Sequence, residues 1–494
     1  MLSSMKRLLP IAFLLCWSCC LGLAQQPAAK PASVAPMSGV QAVFPDTPAG
    51  HQLQAWLAAF NRGDAGSYRQ FIEKNFPSRL QQIDQDIGSG GFNLRDMTGG
   101  FDLRKVEESS PTRLVALVQE RGSDQFQRLT LEVEAPQPNH ITQLQTMPVP
   151  RPDEFALPHL GEHELIAALG QKVDAASVAD RFSGAVLLAK DGKAVFEQAY
   201  GLADRDKKLP NTLNTRFRIG SMSKMFTAVA TLQLVQAGKL GLDDPLGKYL
   251  TDYPNKDVAS KVTIRHLLTH TGGTGDIFTP ESAQHRLDLR TLQDYVNLFG
   301  KRGLEFEPGS RSEYSNYGFL LLGALIERVS GETYYDYVRD HVYKPAGMTA
   351  SGSEPEEQAV ANRSVGYMKQ DGTWRDNSET LPYRGTSAGG GYSTVADLLA
   401  FANALQQHKL LNAQYFEMLT TAKVDTPNGP RTLGLGESTI NGIRCFGHAG
   451  GFPGMNGDLR VCPATGYTIA VLANVDPPAA QRISDFIRNR LPKE

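Results

Sequence analysis

The sequence predicts an α+β or α/β protein in which one antiparallel sheet is flanked by helices and preceded by a smaller α+β domain. Three observations carry this. Residues 45–147 show helical apolar spacing first and period-two alternation afterwards, the order of a small α+β unit. Residues 161–494 carry strand signals at both ends with helical patterns between them. A Pro-rich stretch, Met147 to Pro158, marks the boundary, with residues 148–160 expected to serve as a linker. At 494 residues the chain exceeds one average domain, and its 41% hydrophobic and 21% charged content supplies ample core material. The net charge of −2 lacks the basic excess that nucleic acid requires, so no nucleic-acid partner is expected.

At the start of the chain, Lys6 and Arg7 precede the apolar run Leu8 to Leu15, and the small residues Gly22 and Ala24 occupy the −3 and −1 places of a cleavage site. Residues 1–24 are therefore expected to be a signal peptide cut after Ala24, giving a secreted or periplasmic protein with no stable membrane anchor. Cys19 and Cys20 lack the Leu-x-small-Cys pattern of a lipoprotein signal. Residues 25–44, rich in Pro, Ala and Ser, read as a flexible linker. Cys16, Cys19 and Cys20 leave with the signal. Cys445 and Cys462 remain, flanking a turn-rich segment that a hairpin would fold back on itself, either as a disulfide or as two buried thiols.

Between the two linkers, His51 to Asn61 and Gly66 to Asn75 have helical spacing, and a third short helix is expected around Leu80 to Ile87. Strands follow at Phe101 to Val106, Arg113 to Gln119, Gln127 to Val133 and His140 to Gln145. The layout is similar to the cone-shaped folds called NTF2-like. With no paired carboxylates, His cluster or phosphate loop in the sequence, a binding or spacer role is expected.

In the larger region, Val186 to Ala189 and Ala194 to Gln198 form a hairpin across Asp191-Gly192, a pair suited to a tight turn. A long helix is expected from Ser221 to about Ala237, stopped by Gly238. Strands are expected at Arg444 to Phe446, Asp458 to Val461 and Tyr467 to Ala473, then a helix from Ala479 to about Arg490.

The chemistry centres on Arg218-Ile219-Gly220-Ser221-Met222-Ser223-Lys224. Helical positions i and i+3 share a face, which puts Ser221 and Lys224 within hydrogen-bonding reach. A hydroxyl is a poor nucleophile without a base, and an amine serves as one when burial lowers its pKa. The apolar helix body, with Phe226, Val229 and Leu232, supplies that burial. Ser221 also falls at the helix N-terminus, where free amides favour a developing anion. Ser-x-x-Lys alone is unspecific, since Ser3 to Lys6 matches it inside the expected signal.

Around this pair the chain resembles the serine β-lactamase and penicillin-binding-protein family in its class C branch, over roughly Phe182 to Arg490. The segments SGAVLLAKDGKAVFEQAYGLAD, FRIGSMSKMFTAVATLQLVQAGKLGLDDPLGKYL, VTIRHLLTHTGG, PGSRSEYSNYGFLLLGALIERVSG, SAGGGYSTVADLLAFANAL and FGHAGGFPGMNG occur in the family's order. The resemblance implies a β-lactamase/transpeptidase-like fold with an all-helical insert, and no metal or organic cofactor. It implies Tyr314-Ser315-Asn316 as the second motif, with Tyr314 opening a helix and relaying a proton and Asn316 binding substrate. A phenol beside a lysine ammonium is expected to lose its proton readily. The third motif falls on His448-Ala449-Gly450, and the oxyanion hole on the N–H groups of Ser221 and Gly451, with His448 and Gly450 contacting substrate. An edge strand there would pair with an extended peptide.

The class C β-lactamases resembled here carry lysine where this chain has His448, which shifts the expectation from β-lactam hydrolysis toward a DD-peptidase-like peptidase or esterase acting on a small molecule or peptide. A class C-like β-lactamase and a slow-turnover penicillin-binding or sensor protein are the alternatives. Among other candidates, His266 and His270 have an i,i+4 spacing but no third ligand. Gly389-Gly390-Gly391 reads as a tight turn beside the cleft, Tyr392 and Trp374 either line the pocket or pack, and Arg384 is a candidate carboxylate binder.

Overall fold

The computed structural model describes residues 42–82, 91–137, 139–370, 372–421, 423–424 and 431–493. The expected signal peptide and nearly all of the first linker lie outside the described residues, as do residues 83–87 of the expected third helix. Residues from Ala42 onward form one compact unit. Among the described residues no helix is long and apolar enough to cross a membrane.

The N-terminal layer begins with α1 (Pro48–Arg62) and α2 (Ala65–Asn75). Thr47 caps α1 by accepting from the Gly50 amide, Pro48 sets its first turn, and Gly63 ends it at φ 74°. Asp64 caps α2 through the amides of Gly66 and Ser67. Pro77–Gln82, reaching into the start of the expected third helix, form a 3₁₀ turn, and a further helix, α3, spans Gly91–Thr98. The Gly-rich residues before it disguise that helix as a loop. Four strands follow as an antiparallel meander: β1 (Phe101–Ser109), β2 (Arg113–Glu120), β3 (Phe126–Val133) and β4 (Ile141–Val149). Trp56 and Phe60 of α1 stack on Phe101 of β1, joined by Leu114 and Leu131. Phe44, within the expected first linker, packs against this core.

The strand β4 runs two residues into the expected second linker because Pro148 and Val149 continue the pairing with β3. That linker is also pinned. Phe155 stacks on Phe126 at 5.2 Å, and Arg151 donates to the Asp124 and Phe155 carbonyls.

The larger region opens with α4 (Glu162–Val178) and the hairpin β5 (Gly184–Lys190) and β6 (Lys193–Tyr200). Asp191 (φ 49°) and Gly192 (φ 79°) take the left-handed conformations that the two-residue turn requires. A helical half includes α5 (Ser223–Gln236) and α6 (Asn316–Ser330), whose buried faces form the main core with Phe226, Leu232, Leu321 and Leu325. The chain then returns to the sheet with β7 (Gly436–Ile440), β8 (Ile443–Phe452), β9 (Met455–Cys462) and β10 (Tyr467–Ala473), and closes with α7 (Ala479–Arg488). The six strands run antiparallel in the order β7-β8-β9-β10-β5-β6. The polar strand β7 was not expected, and β8 extends six residues past the expected Phe446.

Pairing between β7 and β8 ends at Gly436 opposite Gly447, so among the described residues His448 to Phe452 have no strand partner on that side. This bare stretch is the cleft edge. Behind it, Cys445 and Cys462 are bonded, with their sulfurs 1.97 Å apart.

Candidate active site

Three strands of chain meet at Ser221. The first is the turn Gly220–Met222, a 3₁₀ turn that leads into α5, so Ser221 precedes the α-helix rather than opening it. Gly220 adopts φ 52°, and its backbone nearly touches the bare edge: a Cβ there would lie 3.0 Å from the Gly451 nitrogen. The Gly389-Gly390-Gly391 segment braces this turn, as expected of a tight turn beside the cleft. The Ser223 hydroxyl donates to the Gly390 carbonyl at 2.7 Å, and the Ile219 amide to that of Gly391 at 3.2 Å.

One turn along, Lys224 is completely buried. Its Nζ donates to Asn316 Oδ1 at 2.7 Å, to the Ala388 carbonyl, and to Ser221 Oγ at 3.3 Å. It also lies over the Tyr314 ring, 4.7 Å from the centroid. Burial lowers the Lys224 pKa to about 7, opposed by Asp276 and assisted by Arg431. An amine in this state accepts a proton near neutral pH.

The second strand of chain is the entry to α6. Ser315 caps the helix, so Tyr314 stands just outside it instead of opening it. Burial raises the Tyr314 phenol to about 12, only partly offset by its hydrogen bond with Ser221 and by Arg431. The expectation of an easily ionised phenol fails here because desolvation outweighs the nearby cations; the group is a proton donor. His270, which the sequence offered only by its spacing from His266, and Asp276, which gave no sequence signal, position this segment. His270 stacks on Tyr314 with centroids 4.5 Å apart and accepts the Ser315 amide on Nδ1 at 3.1 Å. Asp276 receives the Asn316 amide at 3.0 Å and its side-chain Nδ2 at 3.1 Å. That fixes Asn316 Oδ1 toward Lys224.

The third is β8. Gly450 is required by close approach, since a Cβ would fall 1.9 Å from the Ile219 carbonyl oxygen. Asn456 on β9 accepts the Ala480 amide at 2.7 Å and donates to the Gly450 carbonyl at 2.8 Å, locking the strand. His448 is buried, and its Nδ1 donates to the Ala449 carbonyl, which leaves Nε2 as an acceptor lacking a partner. Burial, with Lys224 and Arg431 nearby, holds His448 well below its usual pKa, which favours the neutral ring.

The cavity in front of Ser221 measures about 520 Å³ and is lined also by Tyr314, Arg431, His448 and Gly451. Arg431 lies 5.5 Å from the Tyr314 ring centroid. Burial lowers its pKa, and among the described residues no carboxylate pairs with it. It stands 17 residues before His448 without a motif, and a lone arginine between Pro430 and Thr432 gave no sequence signal.

Arg384, the expected carboxylate binder, is elsewhere, donating to the Ser353 carbonyl and lying over Tyr335. Trp374 stacks under Arg205 and donates to Asp180, and Tyr392 pairs with Arg218 in a short two-stranded sheet. Both pack rather than line this cavity. His266 accepts the Thr263 amide at the start of a short helix.

A family model described as Beta-lactamase matches residues 167–492. A putative penicillin-binding protein PbpX of Bacillus subtilis (strain 168) is 31% identical over 59% of this chain and 70% of its own length. A penicillin-binding protein of Bacillus halodurans aligns with TM-score 0.57 and 34% identity, covering 65% of this chain and 97% of that one. A D-stereospecific amidohydrolase from Streptomyces sp. aligns with TM-score 0.56 and 30% identity over 65% and 97%.

Proposed function

The chain belongs to the beta-lactamase family of serine hydrolases, and from that membership we propose that it is a peptidase or esterase that forms an acyl-enzyme on Ser221. The observation that carries this reading is Lys224: buried, 3.3 Å from Ser221 Oγ, and with a pKa of about 7. The neutral amine takes the hydroxyl proton as Oγ bonds to the substrate carbonyl carbon. The N–H groups of Ser221 and Gly451 stabilise the oxyanion, a contribution of roughly 3 kcal/mol per donor. Tyr314, protonated, gives its proton to the leaving nitrogen or oxygen as that bond breaks, and recovers one from Lys224. Water then attacks the ester carbon as Lys224 takes its proton, and Lys224 returns that proton to Oγ as the ester bond breaks, regenerating Ser221. Asn316 holds Lys224 and, with His448 Nε2, offers polar contacts to the substrate.

Arg431 supports substrates with an anionic group on the leaving side, such as a free C-terminal carboxylate. The D-stereospecific amidohydrolase among the similar structures favours D-amino-acid amides and peptides as candidates. Because Arg431 supplies the permanent cation that His448 does not, a β-lactamase is the second reading. Assay of purified protein on simple esters, D-Ala-D-Ala peptides and a chromogenic cephalosporin separates the two. The proposal expects ester or peptide turnover to dominate; cephalosporin turnover at or above that level would reverse the preference.

A further inference from the structure

A second cavity, of about 410 Å³, is lined by the end of α6, the segment that follows it and residues 351–354. It shares no lining residue with the cavity in front of Ser221. Its volume lies within the range of about 300–1,000 Å³ usual for small-molecule sites. One wall is fixed before any ligand arrives. The amide of the buried Tyr334 donates to Glu327 Oε1 at 3.0 Å, and its hydroxyl lies 2.7 Å from Thr227 Oγ1, which in turn donates to the Ser387 carbonyl at 2.7 Å. A wall held in this way spares a ligand the cost of ordering it.

Charges of both signs line this cavity without meeting each other. Arg384, which the sequence offered as a carboxylate binder, lies 3.3 Å from the Tyr335 ring centroid and uses only Nε, on the Ser353 carbonyl. Among the described residues, the two terminal nitrogens of this permanent cation have no hydrogen-bond partner. Burial pushes the Tyr335 and Tyr343 phenols up, so both stay protonated donors, and neither hydroxyl has a partner among the described residues. Glu327 and Glu354 line the same cavity, and among the described residues no cation makes an ion pair with either. Burial raises the Glu327 pKa, a penalty that an arriving ammonium would relieve. A ligand of one charge satisfies one set of groups and strands the other. A zwitterion satisfies both, and its side chain gains from contact with the tyrosine rings.

We propose that this cavity is a second ligand site, which takes a free amino acid with an aromatic or large apolar side chain, its carboxylate on Arg384 and its ammonium on Glu327 and Glu354. The site stands independently of the Ser221 reading above. Isothermal titration calorimetry of the full chain with D- and L-phenylalanine, each alone, tests it. At least one enantiomer should bind. Kd should rise about tenfold or more for phenethylamine, which lacks the carboxylate, and for N-acetylphenylalanine, which lacks the ammonium. Arg384→Met should raise Kd for phenylalanine by a similar factor, and Glu327→Gln should bring phenylalanine and N-acetylphenylalanine closer in affinity. The ligand series on wild-type protein decides the matter even where a variant fails to fold. Wild-type protein that binds neither enantiomer, or that binds phenethylamine and N-acetylphenylalanine as tightly as phenylalanine, overturns the site. Binding untouched by Arg384→Met overturns it as well, and loss of that binding in Arg431→Met would place the amino acid in front of Ser221 instead.

Discussion

Two sets of cations are withdrawn from water in this molecule, and they are treated in opposite ways. Where the N-terminal layer meets the C-terminal segment, three arginines are paired. Arg482 donates to Glu120 at 2.9 Å, Arg490 binds Asp124 at 3.2 Å, and Arg151 lies 3.5 Å from the same carboxylate. Glu120 also receives Ser123 and Gln127. In the cleft, Lys224 and Arg431 have no carboxylate in contact among the described residues, and burial lowers the pKa of both. Buried charge that serves structure is neutralised on the spot, because an unpaired ion costs several kcal/mol. Buried charge that serves a reaction is left open, and its partner arrives with the substrate.

Lys224→Met breaks this contrast most directly. It should lower kcat for ester hydrolysis by 10³-fold or more, since the serine loses its base. It should also raise Tm. The Lys224 pKa is depressed in the fold, so below about pH 10 the unfolded chain binds a proton that the folded chain refuses until pH falls to about 7. That penalty grows as pH drops through this window, so the stabilisation by Met should be larger at pH 7 than at pH 10, as thermal melts at both pH values would reveal. Equal destabilisation at both would show that Lys224 is a structural residue.

Arg431→Met comes next. Substrates with a leaving-side carboxylate should show KM raised about 10- to 100-fold relative to their amides. Because Arg431 lowers the Lys224 pKa, the acidic limb of the kcat/KM profile, expected near pH 7, should also move upward. Asp276→Asn should move the same limb downward by a smaller amount, as Asp276 raises that pKa. At the other site, Arg482→Ala strands a buried Glu120 and should cost roughly 3 kcal/mol by denaturant titration, with kcat/KM little changed under folding conditions. A selective loss of kcat/KM in folded protein would instead tie this junction to the cleft.

Much of the site was legible because its spacing is local. Ser221 and Lys224 lie one helical turn apart, Asp191-Gly192 needs only two residues, and Gly238 marks the end of α5 by its left-handed φ of 69°. What was missed depends on three dimensions. Arg431 reaches the cleft from a segment remote in sequence, and β7 is too polar to read as a strand, although its end at Gly436 is what leaves His448 to Phe452 bare. Tyr314 was expected to ionise from its lysine neighbour alone, whereas its protonation state follows from burial, which no spacing reports. His270 offered only its i,i+4 spacing from His266, and the Tyr314 ring it stacks on lies 44 positions away (270 to 314), beyond any periodic pattern.

The central claim is that Ser221 becomes acylated with Lys224 as base. Intact-mass spectrometry of full-length protein reacting with p-nitrophenyl acetate, quenched at successive times from pH 5 to 9, tests it directly. The account predicts one acetyl adduct, mapped to Ser221, forming at a rate that rises through about pH 7 and disappearing in Ser221→Ala. An adduct on another residue, or a rate on Ser221 that is flat across pH 7, would contradict it.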